Sequence, residues 1–177
     1  MFHLTIRREW YKTLDVANKF EKELQLLFMD TWYKDKYKYY HYSSYYDNYK
    51  NVESTWEGNR FVSKNKDGNI IGYIGYSLSR TNDYANGLCA INFTENKVVF
   101  GRDLIQVLDD LFTKFNIRKL SFNVIVGNPI ERSYDRLISQ YGGYIIGVKK
   151  KEVKLIDNIY YDSKMYEIFR EDYLLHK

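Results

Sequence analysis

Two short stretches of this chain carry residues suited to holding an anion and an extended polar arm. The first is Val98-Val99-Phe100-Gly101-Arg102-Asp103. Gly101 would let backbone approach a phosphate closely, and the N–H groups of Phe100 to Leu104 converge where a helix is expected to begin. Arg102 and Lys97 add positive charge there. Asp103 suits a helix cap but repels a phosphate. The second stretch is Gly127-Asn128-Pro129, where Asn128 suits the cap of another helix and Pro129 its first turn. Other candidate chemistry is sparse. Cys89 lies in an apolar strand and reads as a buried thiol. His3, His41 and His176 have no partners at triad or metal spacing, so no metal ligand is assigned.

The elements that position these residues follow from hydrophobic period. Phe2, Leu4 and Ile6 alternate with polar residues over 2–8, the period of a strand. A helix is expected from about Asp15, its N-cap, to Met29, with Val16, Phe20, Leu24, Leu27 and Phe28 on one face. Strands follow at 60–63 and 70–80, joined by the turn Lys66-Asp67-Gly68-Asn69. Gly72 and Gly75 inside the second of these suggest a bulge or a close approach. Turns at Thr81-Asn82-Asp83 and Asn86-Gly87 lead to a strand at 88–94. Leu104, Val107, Leu108, Leu111, Phe112 and Phe115 then stripe a helix over 103–115. The strand at 120–126 is nearly continuously apolar from Phe122 onward, as a central parallel strand should be. The helix between 88–94 and 120–126 makes their connection a parallel crossover. A last helix over 129–141 closes on Gly142-Gly143, and strands at 144–153 and 164–170 end the sheet. The expected fold class is α/β: one domain over 1–177, with a mixed, mostly antiparallel, twisted sheet of about seven strands. A central parallel pair splays apart in it, with about four helices around. Where parallel strands diverge, unpaired backbone at Ile91, Asn92 and Phe93 can pair with an extended arm as with another strand.

Bulk properties restrict the function only mildly. A chain of 177 residues with net charge +4 fits one globular domain and does not by itself argue for nucleic acid. No apolar run approaches the ~20 residues that a membrane span needs. The N-terminus lacks a signal peptide's apolar core, so the cytoplasm is the default location. The conspicuous bias is 19 tyrosines against one proline. Tyr33, Tyr37, Tyr39, Tyr40, Tyr42, Tyr45, Tyr46 and Tyr49 crowd together with Lys34, Lys36, Lys38 and Lys50.

The order strand, loop, helix, strand, Asn, helix, Gly-aromatic resembles the acyl-CoA-binding half of the GCN5-related N-acetyltransferases. Asn128, Ser133-Tyr134, Gly143-Tyr144 and Gly147 are similar to that family's pattern of Asn, small residue, Tyr, Gly-Phe. The tail Leu155…Asp157…Tyr160-Tyr161-Asp162…Met165-Tyr166-Glu167-Ile168 resembles its closing strands. The departure lies in the pyrophosphate loop, Q/R-x-x-G-x-G/A in the family. Here only Gly101 matches, with Val98 and Asp103 at the outer positions, and the helix after Asn128 is longer by about one turn. The resemblance implies transfer of an acyl group from acetyl-CoA to a primary amine by direct attack, with CoA left as product. Ile91, Asn92, Phe93, Phe100, Gly101, Arg102, Asp103, Leu104 and Asn128 would then hold the cofactor. Tyr134, or Tyr141 if the extra turn shifts the register, would protonate the departing thiolate. Glu95 or a water chain would take the amine's proton. Segment 33–50 falls where the superfamily places its acceptor-binding helices. It reads as a packed lid, as the binding site for a small-molecule or peptide amine, or as a basic aromatic surface for nucleic acid. A homodimer is compatible with all of these. The competing reading is a non-catalytic protein that kept the fold and lost the cofactor.

Overall fold

The computed structural model describes residues 13–42 and 53–177. The expected strand at 2–8, together with Tyr45, Tyr46, Tyr49 and Lys50, lies outside them. Among the described residues one sheet holds seven strands: β1 (Leu14–Val16), β2 (Gly58–Lys64), β3 (Ile70–Ser79), β4 (Tyr84–Asn92), β5 (Lys119–Ile125), β6 (Tyr144–Lys154) and β7 (Tyr160–Phe169). Their order across the sheet is β1-β2-β3-β4-β5-β7-β6. Every neighbouring pair is antiparallel except β4 and β5, which are parallel. Among the described residues four α-helices accompany them: α1 (Glu21–Thr31), α2 (Lys97–Thr113), α3 (Glu131–Gln140) and α4 (Arg170–His176).

Alternation along β4 divides the interior into two layers. Leu88 and Ala90 face a core that also takes Leu104, Val107, Leu108, Leu111 and Phe112 of α2, Tyr134, Leu137 and Ile138 of α3, and Tyr173 of α4. Ile91 faces the other way, into a smaller core with Leu24 and Phe28 of α1, Tyr37, Val62 and Tyr73. The period of two in the strand is what sends neighbouring side chains to opposite layers.

Four boundaries differ from the sequence-based expectation. Asp15 is not a helix cap. It sits in β1, paired with Val62, and binds Lys19 and Lys64, each at 3.0 Å, while α1 starts six residues later. Pairing of Leu14–Val16 with β2 outweighed the helical stripe that begins at Val16. β4 starts at Tyr84 and runs through Asn86-Gly87, so these two residues make an irregularity in the strand and not a turn. α2 starts at Lys97 instead of 103, capped by the Asn96 side chain, which accepts from the Val99 N–H at 3.2 Å. Finally, β7 begins at Tyr160, and the chain ends in α4, a helix that the period-two reading of 164–170 did not foresee.

Gly72 does meet a close neighbour. A Cβ there would overlap the Phe100 ring, so the first turn of α2 is seated directly on β3. The Gly142-Gly143 pair ends α3 as expected. Gly142 has φ +67° and the Gly143 N–H returns to the Ile138 carbonyl at 2.9 Å.

Candidate active site

The site begins with what the parallel pair lacks. β4 and β5 are registered only at Tyr84–Lys119 and Ala85–Leu120. Beyond that, β4 stays with β3 as far as Asn92, while β5 stays with β7 as far as Ile125–Ser163. The two strands therefore part toward their C-terminal ends, and a cavity of about 930 Å³ opens in the gap. Leu88 and Ala90 line it from β4, Phe122 and Val124 from β5, and Asn128, Ile130 and Tyr134 from the region of α3.

A single 3-10 turn, Asp35–Tyr40, bridges the two lips of the gap. On the β4 side, Tyr40 donates to the Ala90 carbonyl and Tyr37 to the Asn92 carbonyl, each at 3.1 Å. On the β5 side, the Tyr39 hydroxyl lies 3.0 Å from where a Cβ on Gly127 would be, and Gly127 has φ +92°. A side chain at Gly127 would therefore meet both strain and a clash. Tyr39 also meets Tyr161 edge-on, with ring centroids 5.9 Å apart.

No protein-family model matches the chain, and no curated protein matches it. Solved structures do. The spermidine N-acetyltransferase from Vibrio cholerae in complex with CoA and spermine superposes with TM-score 0.68 at 22% identity, covering 92% of this chain and 97% of that one. A probable acetyltransferase gives 0.69 at 16% identity, with 90% and 93% covered. A chimera of the Vibrio enzyme SpeG with hSSAT (K23-Q34) gives 0.68 at 24%, with 92% and 97% covered. This is the GCN5-related N-acetyltransferase fold.

Within that N-acetyltransferase fold the expected site residues separate. Tyr134 lies at the gap, buried, its ring edge-on to Phe122 at 5.0 Å and to Tyr166 at 6.1 Å. Burial, with Cys89, Tyr166 and Tyr42 nearby, raises its hydroxyl above the ordinary phenol range. The group is thus a protonated phenol at neutral pH. Tyr141 stands at the other end of α3, stacked on Tyr173 at 4.9 Å and away from the cavity. Asn128 is not the N-cap of α3, a place that Ile130 takes, but its Oδ1 accepts from the Ile130 N–H at 3.2 Å in the turn before the helix, and it also lines the cavity. Glu95 is an exposed carboxylate paired with Lys36 at 3.2 Å and does not line the gap.

The cofactor set divides in the same way. Of Ile91, Asn92 and Phe93, only Asn92 turns backbone to the gap. The Phe93 N–H goes to Ile71 on β3 at 2.8 Å, and Ile91 lies opposite Tyr73 on that strand. The groups that face the gap are therefore at Ala90 and Asn92. Phe100 to Leu104 lie inside α2, not at its start. Phe100, Asp103 and Leu104 are buried, while Gly101 and Arg102 look outward. Asp103 is no phosphate-repelling cap, because its carboxylate accepts from Thr13 and Ser63 hydroxyls, both at 2.6 Å, and ties α2 to β2 and to the residue before β1. The free N–H groups of a helix belong to its first turn, and here the Lys97 N–H returns to the Glu95 carbonyl at 2.9 Å and the Val99 N–H to the Asn96 side chain, so an anion at this turn would compete with both bonds.

Several site residues escaped the sequence reading. Tyr166 lines the cavity and donates to Asp135 at 2.8 Å, while Lys164 reaches Asp135 at 2.7 Å and Glu131 at 3.3 Å. Hydrogen bonding from Lys164 holds the Asp135 carboxyl below its usual range. This clamp fixes α3 on β7 and hence the Tyr134 ring. Ser163 and Met165 line the cavity from β7. The alternation of Ser163, Met165 and Glu167 with Lys164, Tyr166 and Ile168 was a readable signal for these positions. Cys89 lines the cavity too, but burial pushes its thiol up to about 12, so it is no nucleophile at neutral pH. A second cavity, of about 990 Å³, is lined by Trp56, Arg60 and Arg80 among others, and holds none of the expected site residues.

Proposed function

We propose that this chain is an acyl-CoA-dependent N-acyltransferase, with acetyl-CoA its default donor and a primary amine its acceptor. The observation that carries the reading is the parallel pair that stops hydrogen bonding after Ala85–Leu120 and opens onto a cavity with a buried phenol, Tyr134, in its wall. The CoA and spermine of the Vibrio neighbour support the same class of ligands. The residues fit the group in part: Ala90 and Asn92 offer strand-edge carbonyls to an amide-bearing arm, and Lys97 brings a cation to the first turn of α2, where Asn96 and the Glu95 carbonyl already hold the Val99 and Lys97 N–H groups.

Bound acetyl-CoA would supply the acyl group as a thioester and leave as a thiol. Everything else falls to the protein. Tyr134 holds a proton at its hydroxyl and can donate it to the departing sulfur as the C–S bond breaks, and the phenolate so formed regains a proton from the acceptor amine through water. With Glu95 outside the cavity, a water chain is the better route for the amine's proton. Tyr39, Tyr40 and Tyr42 wall the acceptor side. They turn toward the gap, which favours an amine site over an outward platform for stacking bases. Among the described residues no helix is long and apolar enough to cross a membrane.

One observation favours the non-catalytic alternative: helix occupies the stretch where the family has its pyrophosphate loop. Native mass spectrometry with CoA, followed by acetyl transfer to a panel of amines, separates the two. The proposal expects a CoA adduct and acetylated product. An adduct without product on any amine keeps the cofactor site and removes the transfer, and no adduct at millimolar CoA supports the non-catalytic protein that kept the fold and lost the cofactor.

A further inference from the structure

We propose that the acceptor is a primary amine carrying a carboxylate about three residues away, and that Lys149 and Lys154 select it while polyamines are rejected. This rests on the acyltransferase reading and specifies its acceptor.

The cavity continues from the gap over a face of β5, β7 and β6, where Ser121, Asn123, Ser163 and Met165 form its floor. Its charged lining consists of two lysines, Lys149 and Lys154, and two carboxylates, Glu152 and Glu167. The carboxylates are already engaged. Glu167 takes Lys119 at 2.6 Å and the Ser121 hydroxyl at 2.8 Å, and Glu152 takes Lys149 at 3.1 Å. A polycation would find Glu167 held twice over and could win only the exposed Glu152 from Lys149, with the Lys149 and Lys154 ammonium groups then repelling it.

The lysines are differently placed. The Lys154 ammonium lies over the Tyr160 ring at 5.6 Å, a contact that leaves its donors for another acceptor. The Lys149–Glu152 pair is half exposed, and such pairs hold so weakly that an incoming carboxylate can replace Glu152. A bulge supports this arrangement. Between Lys149 and Val153 the edge strand β6 carries extra residues opposite Asp162 of β7, and Lys151 adopts φ +52°. Asp162 takes the Lys151 N–H at 2.9 Å and the Lys150 ammonium at 2.8 Å. The bulge thus commits Lys150 to Asp162 and leaves Lys149 and Lys154 on the cavity.

The spacing sets the size of the ligand. From β5 to β6 are two strand intervals, roughly 10 Å, the reach of about three residues of extended chain. An amine held in the gap beside Tyr134 would place a carboxylate three residues on near Lys149, which is level with Ser163 and Ile125 across the sheet, and Lys154 would reach it from farther along β6.

Calorimetric titration of the full chain, with and without CoA, tests this using the tripeptide Ala-Tyr-Ala, its C-terminal amide and spermine. The free acid should bind about tenfold more tightly than the amide, the difference that a charge-assisted contact makes, and more tightly than spermine. In the Lys149→Glu/Lys154→Glu double variant, whose fold is checked by circular dichroism, the acid should fall to the level of the amide and spermine should gain. Equal binding of acid and amide, tighter binding of spermine, unchanged preference in the variant, or no binding of the tripeptide would each overturn the proposal. The titration needs no turnover, so its failure is distinct from failure of the acyltransferase reading, which the CoA adduct and the acetylated product together decide.

Discussion

At the residue scale, Tyr134 is the side chain whose chemistry and place agree. It is buried at the gap with a raised hydroxyl, and its ring is held by Phe122 and Tyr166. Phenylalanine keeps that shape and burial and removes only the proton. Tyr134→Phe should therefore leave the melting temperature and CoA affinity nearly unchanged and cut turnover by roughly 10²-fold or more. Full activity in steady-state assays would reduce Tyr134 to a packed ring. Asp15 shows a residue whose role changed from cap to ion pair. Burial opposes its ionisation, but hydrogen bonds from Lys64, Lys19 and the Val16 N–H outweigh that and bring its carboxyl down from 3.8 to about 2. Because the folded value is the lower one, the stabilisation is present above about pH 4 and is lost as pH falls toward 2. A shift of that size is worth about 2 kcal/mol at most. Asp15→Asn should lower stability to urea at pH 7 and make little difference at pH 2. A constant difference across that range would mean that the ion pairs do not carry it.

At the element scale, the bridge made by the Asp35–Tyr40 turn matters most. Its tyrosine hydroxyls occupy the Ala90 and Asn92 carbonyls, the groups that an extended amide ligand would take over. Cofactor entry and placement of the acceptor wall are thereby coupled through one turn of chain. Tyr37→Phe/Tyr40→Phe removes both hydroxyls and leaves two carbonyls under-satisfied in the free chain, at about 1 kcal/mol each. The double variant should melt a few degrees lower and bind CoA several-fold more tightly. Unchanged affinity by calorimetry would mean that the arm does not use these carbonyls. The alternating pattern of 84–92 showed a strand here, but not that its last carbonyls would be covered by tyrosines fifty residues earlier in the chain.

At the scale of the whole molecule, the sheet is two halves that share only a short parallel seam. β1 to β4 carry α1 and the 3-10 turn, while β5, β7 and β6 hold the clamp to α3. A ligand that pairs with β4 and touches β5 would join the halves where the seam has stopped. At 100 times its dissociation constant CoA should stabilise the fold by about 2.7 kcal/mol. In a chain of this size that raises the melting temperature by roughly 5–10 °C. Scanning calorimetry would register it easily, and no shift would mean that the gap does not bind CoA.

Periodicity and punctuation determined much of this unaided. The parallel crossover is legible because an amphipathic stripe stands between two apolar strands, and the end of α3 is legible because Gly142 supplies a left-handed residue at the right place. Asn128 and Tyr134 could be singled out for the same reason: their setting is local, within one helix and the turn that leads into it. What the chain could not disclose is decided by partners distant in sequence. β1 exists because Leu14–Val16 finds β2, and α2 starts at Lys97 because Asn96 caps it and Phe100 seats on Gly72. Asp103 is a buried tether because Thr13 and Ser63 meet it there. Local propensity differs by a few tenths of a kcal/mol per residue among such alternatives, whereas a buried contact or a satisfied buried carboxylate contributes a kcal/mol or more, so tertiary packing settles the boundary and with it the site.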